Sequence, residues 1–236
     1  MSVNAKGQGV GLWADAGDTA FTRSNSKLGA AIRWGETDPD EKGTDGAWAN
    51  HQLVVTGSGW LVPPEGLDLG TTAPRVGLTS SGANLAVIVE AMWHVQRDAW
   101  WALHAKDYAG GMRIRVFRPI PRYDAAELAR FVAHADAGVG QRYGWWKLLG
   151  FLAKRATGVN VPAMFFVEGR PICSYYAALA NEEARPVGTP MPGPACSGGQ
   201  LFRWPGFGMP AKEADPDEAM DFCVANEGKW WREVWA

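Results

Sequence analysis

The sequence predicts an α+β fold in one domain, residues 1–236, and three observations carry that expectation. The chain runs through a helical segment, a set of strand-like runs and then a group of helices, which is the α+β order. The strand-like runs are β-branched or alternate apolar with polar residues, while the helical segments carry capping residues and apolar stripes. With 236 residues, 47% apolar and 20% charged, the chain is long enough to bury a sizeable core, and no internal repeat divides it.

In chain order, Gly17-Asp18 reads as a turn before a short strand through Phe21. Ser24 or Asn25 is placed to cap a helix carrying Leu28, Ile32 and Trp34. Residues 35–47 are polar, acidic and glycine-rich, an exposed loop. "HQLVVTG", from His51, is a strand. Residues 60–82, rich in Gly, Pro, Thr and Ser, read as a loop insertion rather than a linker. "NLAVIVEAMWHVQRDAWWAL" reads as a buried strand ending near Glu90, a turn and a second strand. "GMRIRVFRP" alternates as a half-buried strand. "YDAAELARFVAHA" is a helix with Asp124 as cap, Glu127 completing a capping box, and Leu128, Phe131 and Val132 as its stripe. "YGWWKLLGFLAKRATG" is a further apolar helical segment. Another helix begins at Cys173 and ends before the Pro/Gly-rich residues 186–208. A last helix starts around Asp215-Pro216, and "KWWREVW" closes the chain.

Composition narrows the function. A formal charge of -2 offers no general attraction to nucleic acid, so no nucleic-acid partner is expected. No run approaches 18 apolar residues, so no integral membrane segment is expected, and the lack of a signal-peptide pattern points to the cytoplasm. The three cysteines, Cys173, Cys196 and Cys223, are widely spaced with no C-x-x-C, so neither a disulfide framework nor a metal site is expected, and no cofactor is called for. Thirteen tryptophans include the pairs Trp100-Trp101, Trp145-Trp146 and Trp230-Trp231. They are core and rim aromatics, or the lining of a groove for sugar or lipid.

One cysteine stands where chemistry could use it. "RPICSYYAALANEEA" brings Cys173 to the first turn of a helix, where unpaired N–H groups favour an anion and could face an oxyanion. A thiol attacks as its thiolate, so a neighbouring base is needed. The candidates are His51, His94, His104 and His134. His134 lies late in its amphipathic helix, and His94 and His104 flank aromatic strands as surface or structural residues. His51 begins a strand whose end could overhang a cleft. Glu90 closes the buried run "LAVIVE"; such a carboxylate either emerges into solvent at the sheet edge or meets a donor such as a histidine Nδ1–H.

Taken in order, "GDTAFTRSNSKLGAAIRW", "ANHQLVV", "VIVEAMWHV", "VFRP" with "GQRYGWWKLLGF", "PICSYYAALA" and "DPDEAMDF" resemble the circularly permuted branch of the NlpC-type, papain-like cysteine hydrolases. The resemblance runs from residue 17 to nearly the C-terminus. It implies a papain-like fold, an antiparallel sheet packed against helices. It also implies Cys173 as nucleophile, His51 as general base and acid, and Glu90 as the group orienting His51. The chain order His51, Glu90, Cys173 is what permutation produces, because geometry rather than order defines a triad. Tyr143 falls at the family's tyrosine position, lining the site or packing in the core. Ser174 caps or bonds locally beside the nucleophile, and Tyr175 stands where the family often has an acidic residue, so Tyr143, Ser174 and Tyr175 form the candidate substrate-binding set. Gln52 and the 60–82 insertion are further departures.

The resemblance implies cleavage of peptide-like amides, cell-wall stem peptides among them, in a bacterial or phage-encoded, even virion-associated, setting. The alternatives are acyl or thioester chemistry on lipids, as in the related lecithin:retinol acyltransferase group, and a non-catalytic binding or structural module with the same fold. The expected partner is a peptide-like or acyl substrate; oligomeric state does not follow from the sequence.

Overall fold

The computed structural model describes residues 2–3, 9–36, 48–70, 77–144, 172–185 and 216–235. Their architecture is α+β, with antiparallel sheets packed against helices. The main sheet is built from β4 (Thr19–Arg23), β5 (His51–Gly57), β7 (Val87–Ala91), β8 (Val95–Ala99), β9 (Arg113–Pro119) and β10 (Trp231–Trp235). Its order is β10-β9-β4-β5-β7-β8, so β5 and β7 lie side by side in the interior. Two further pairs stand apart, β1 (Ser2–Val3) with β2 (Gly9–Val10), and β3 (Leu12–Ala14) with β6 (Gly59–Val62).

Alternation along the strands divides the core between two faces. Val54 and Val89 point to the face covered by α3 (Ala125–Ala137) and α4 (Cys173–Ala184), packing with Phe131, Tyr176 and Ala177. Leu53, Val55 and Ile88 point the other way, onto α2 (Trp100–Ala109) and the β3–β6 pair. Phe21 and Phe117 pack with α5 (Pro216–Ala225) and the fully buried Trp231. Helix α4 is buried nearly all round, and its run of alanines lets it approach both α3 and the sheet closely.

Several short motifs fix the frame. Gly17 adopts φ +94°, open to glycine at little cost, and a Cβ there would come within 2.9 Å of the Tyr123 ring. The adjacent Asp18 is buried and takes a bidentate pair of bonds from Arg118, at 2.8 and 2.7 Å, tying the Gly-Asp turn to β9. Burial raises the Asp18 pKa despite that partner. The capping box of α3 forms as expected, with Glu127 N–H donating to Asp124 at 2.8 Å and Asp124 N–H donating to Glu127 at 2.9 Å.

Three sequence expectations are corrected. The cap of α1 (Lys27–Glu36) is Ser26, whose Oγ accepts the Gly29 N–H at 3.0 Å, and not Ser24 or Asn25. Residues 60–82 are not wholly loop, because β6 occupies their start and pairs with β3. Trp100 to Ala109 is a helix rather than the tail of a strand: Trp100, His104 and Tyr108 recur every fourth residue along its buried face. The helical segment expected after Gly144, the Pro/Gly-rich residues 186–208 and Cys196 lie outside the described residues. No helix among the described residues is long and apolar enough to cross a membrane.

Candidate active site

Strand register builds the centre of the site. Glu90 lies directly opposite Leu53 on β5 and Gln96 on β8, so the three side chains share one face. His51, two residues before Leu53, is the diagonal neighbour of Glu90 on that face. Its Nε2 sits 2.8 Å from Glu90 Oε2. On the other side Gln96 Nε2 donates to Oε1 at 2.7 Å, and from α2 above His104 Nε2 lies 3.0 and 3.1 Å from the two oxygens. Glu90 is only 1% exposed. It does not emerge at the sheet edge. Burial by itself would raise its pKa; bonds from His104 and His51 outweigh that and hold the carboxyl well below the usual carboxylate range.

The approach to His51 is held on both sides. Asn50 Oδ1 accepts the Ser24 N–H at 2.8 Å, and its own N–H donates to the Thr22 carbonyl at 3.0 Å. The preceding Ala49 N–H donates to Asp217 at 2.9 Å, so the "DPDEAMDF" segment on α5 pins the start of the strand that bears the histidine.

Cys173 arrives from the opposite face of the sheet. It is the first residue of α4, after Ile172 as N-cap, and is 4% exposed. Its thiol is hydrogen-bonded to His51, and the backbone N–H groups of Gln52 and Ser174 are directed at the sulfur. Because His51 uses Nε2 for Glu90, the nitrogen left for the sulfur is Nδ1. This reverses the sequence expectation, which gave Nδ1 to the carboxylate. Burial opposes a thiolate at Cys173; the charge and hydrogen bond of His51, with the two amides, outweigh it and lower the pKa. For His51 burial likewise opposes the charge, and the Cys173 thiolate, then Glu90, raise the pKa to about 10. The favoured state is a thiolate–imidazolium pair backed by a carboxylate.

A pocket of about 250 Å³ opens beside His51, also lined by Tyr143 and His104. Tyr143 is 8% exposed and belongs to the same packed cluster as Cys173, so it both lines the pocket and fills the core. Cys173, Ser174 and Tyr175 are not among the lining residues. Ser174 is wholly buried in the first turn of α4, and the N-cap is Ile172, so Ser174 is not the cap. Tyr175 is half-buried between α4 and α5. Gln52 is buried and donates its side-chain N–H to Thr19 at 3.2 Å.

Of the other histidines, His94 is exposed and His134 half-buried beside Tyr176. His104, read from sequence as surface or structural, is 7% exposed and bonded to Glu90. The signal that finds it is the four-residue spacing of Trp100, His104 and Tyr108, which puts a histidine on the buried stripe of a helix. Among the described residues, no group of three or more His, Cys, Asp or Glu is arranged to hold a metal ion.

No family model matches the chain, and no curated protein matches it. Among solved structures, the crystal structure of metalloprotein yiiX from Escherichia coli O157:H7, DUF1105, is similar at a TM-score of 0.42 and 14% identity. The likeness covers 72% of this chain and 66% of that one, so the chain spans just under two thirds of its neighbour. At this level it carries no argument about fold or activity.

Proposed function

We propose that the chain is a cysteine hydrolase of the permuted papain-like kind, with Cys173 as nucleophile, His51 as general base and acid, and Glu90 as the group that orients His51. One observation carries the reading. A thiol at a helix start, an imidazole and a buried carboxylate come from three separate elements and meet in one hydrogen-bonded chain. The thiolate attacks the carbonyl carbon of an amide, ester or thioester, and a C–S bond forms as the carbonyl electrons move to oxygen. The backbone N–H groups of Gln52 and Ser174, which face the sulfur, are donors beside the carbon under attack and stabilise that oxyanion. His51 passes its proton to the leaving nitrogen, oxygen or sulfur as that bond breaks, leaving an acyl-enzyme. Water, deprotonated by His51, then attacks the acyl carbon, and the thiolate departs as the free acid forms.

The family resemblance points to peptide-like amides, including cell-wall stem peptides. The pocket beside His51 favours a second reading, an acyl substrate. Leu28, Ile32, Met92, Trp93 and Met112 make its walls largely apolar, and among the described residues neither Lys nor Arg lines it to pair with stem-peptide carboxylates.

The test is a screen of wild type and Cys173→Ala against muropeptides, acyl-thioesters and lipid esters. Turnover of one panel, abolished in Cys173→Ala, assigns the bond. Equal residual rates in both proteins on every panel would sink the catalytic reading.

A further inference from the structure

The hydrolase reading leaves His104 without a part, although it is buried against the centre of the site. Three donors surround the Glu90 carboxylate: His51 at Oε2, Gln96 at Oε1, and His104 spanning both oxygens at 3.0 and 3.1 Å. An ionised carboxylate only accepts, so both histidines carry a proton on Nε2. The other nitrogen of His104, Nδ1, has no hydrogen-bond partner among the described residues and lies 3.7 Å from Asp107 Oδ2.

We propose that His104 is a positioning residue for the Cys173–His51 pair: by bridging both oxygens of Glu90 it fixes the carboxylate that orients His51. The proposal rests on the hydrolase reading of the same site. Gln96 grips one oxygen and His51 the other, so neither bond alone fixes the plane of the carboxylate. The bridge from α2 does. Among the described residues the charged and titratable groups around Glu90 are few: His51 from β5 with Cys173 behind it, His104 from α2 with Asp107 behind it, and from β8 the neutral Gln96. Burial opposes a charge on Glu90, and the His104 bond is the first of the contacts that offset it. Without that bond Glu90 takes a proton more readily, His51 loses its anionic neighbour, and the thiolate reverts to thiol at a higher pH.

The experiment follows alkylation of Cys173 by iodoacetamide between pH 4 and 9, resolved by peptide mass spectrometry, in wild type, His104→Phe and His104→Gln. Gln places an N–H donor near the position of the imidazole Nε2, whereas Phe keeps the ring and removes the donor. The expected result is an acid limb moved upward by about one pH unit in His104→Phe, which is roughly tenfold slower labelling on that limb. His104→Gln stays within about twofold of wild type. Thermal unfolding checks that each variant is folded; should Phe fail there, His104→Met carries the same expectation. Unshifted profiles in folded Phe or Met variants overturn the proposal, as does a Gln variant shifted as far as Phe. A wild-type Cys173 that labels only as an ordinary thiol overturns the hydrolase reading itself, and is seen before any variant is made.

Discussion

His51 Nε2 lies 2.8 Å from Glu90 Oε2, and this one bond decides which ring nitrogen turns toward Cys173. The carboxylate fixes the tautomer, and its charge favours the imidazolium once the thiol has given up its proton. Glu90→Gln keeps the size of the side chain but removes the charge and allows the amide to flip. The expected loss is on the order of 10²-fold or more in kcat/KM, by analogy with neutralising the third member of a triad. Kinetics on whichever substrate the screen identifies would measure it, and activity within a fewfold of wild type would show that Glu90 does not orient His51.

The pH profile follows from the same pair. Burial opposes a thiolate at Cys173, but the charge and hydrogen bond of His51 lower its pKa, so the sulfur ionises at a lower pH than an ordinary thiol. His51 is raised to about 10 and holds the proton needed by the leaving group until the pH approaches that value. Turnover is therefore expected to rise through an acid limb below the usual thiol range, reach a plateau, and fall near pH 10. Both limbs belong to the coupled pair rather than to single residues. A kcat/KM profile that begins to rise only above pH 8 would contradict the ion pair.

Much of this was legible in sequence because the signals were local. Asp124 and Glu127 announce α3 through a reciprocal cap that depends on residues three apart. The run "VIVEA" announces a buried strand with a carboxylate that must be answered. The start of a β-branched strand at His51 and of a helix at Cys173, with the family resemblance, pointed to His51, Glu90 and Cys173. What escaped was the partner that only tertiary structure supplies. "AWWALHAKDYA" has the aromatic content of a strand, and its helical period shows only when Trp100, His104 and Tyr108 are taken together. The N-cap of α1 is Ser26 because the Ser24 hydroxyl is already taken by the Ser26 N–H at 3.1 Å, which leaves the Ser26 Oγ to accept the Gly29 N–H. Pairing of β3 with β6 joins residues nearly fifty apart through one short ladder, and nothing local in the Gly/Pro-rich 60–82 stretch announces it.

Selectivity among the cysteines gives an independent prediction. Cys173 and Cys223 are both buried, yet their surroundings push them in opposite directions. Cys223 packs among apolar residues of α5 and the sheet, and burial raises its pKa well above the ordinary value. Brief iodoacetamide treatment at pH 6 is expected to modify Cys173 and leave Cys223 intact in the folded protein. His51→Ala should slow labelling of Cys173 by about tenfold or more, since the cation that stabilises the thiolate is gone. Labelling at equal rates in the native protein, read peptide by peptide, would remove the case for an activated thiol.

The helix that presents Cys173 is anchored at its far end by a buried ion pair. Arg185, 1% exposed, donates Nε to Glu127 Oε1 and Nη2 to Oε2, each at 2.8 Å, and Nη2 also reaches the Pro121 and Arg122 carbonyls at 2.9 Å. Its guanidinium lies 4.7 Å from the Tyr123 ring centroid, so one side chain joins the end of α4 to the start of α3. Truncating one partner of such a pair strands the other, at a cost of about 3–5 kcal/mol. Arg185→Met is therefore expected to lower Tm by roughly 6–20 °C for a chain of this size. Arg185→Lys should recover only part of that, because an ammonium cannot reproduce the bidentate fork. Adding Glu127→Gln to Arg185→Met should restore some of the loss by removing the stranded charge, a coupling that a double-mutant cycle measures directly. Catalysis at temperatures well below the lowered Tm should fall less than stability, since the clamp is a full helix length from the thiol. A change of under 1 kcal/mol in Arg185→Met by denaturant unfolding would mean that α4 is held by its alanine-rich packing alone.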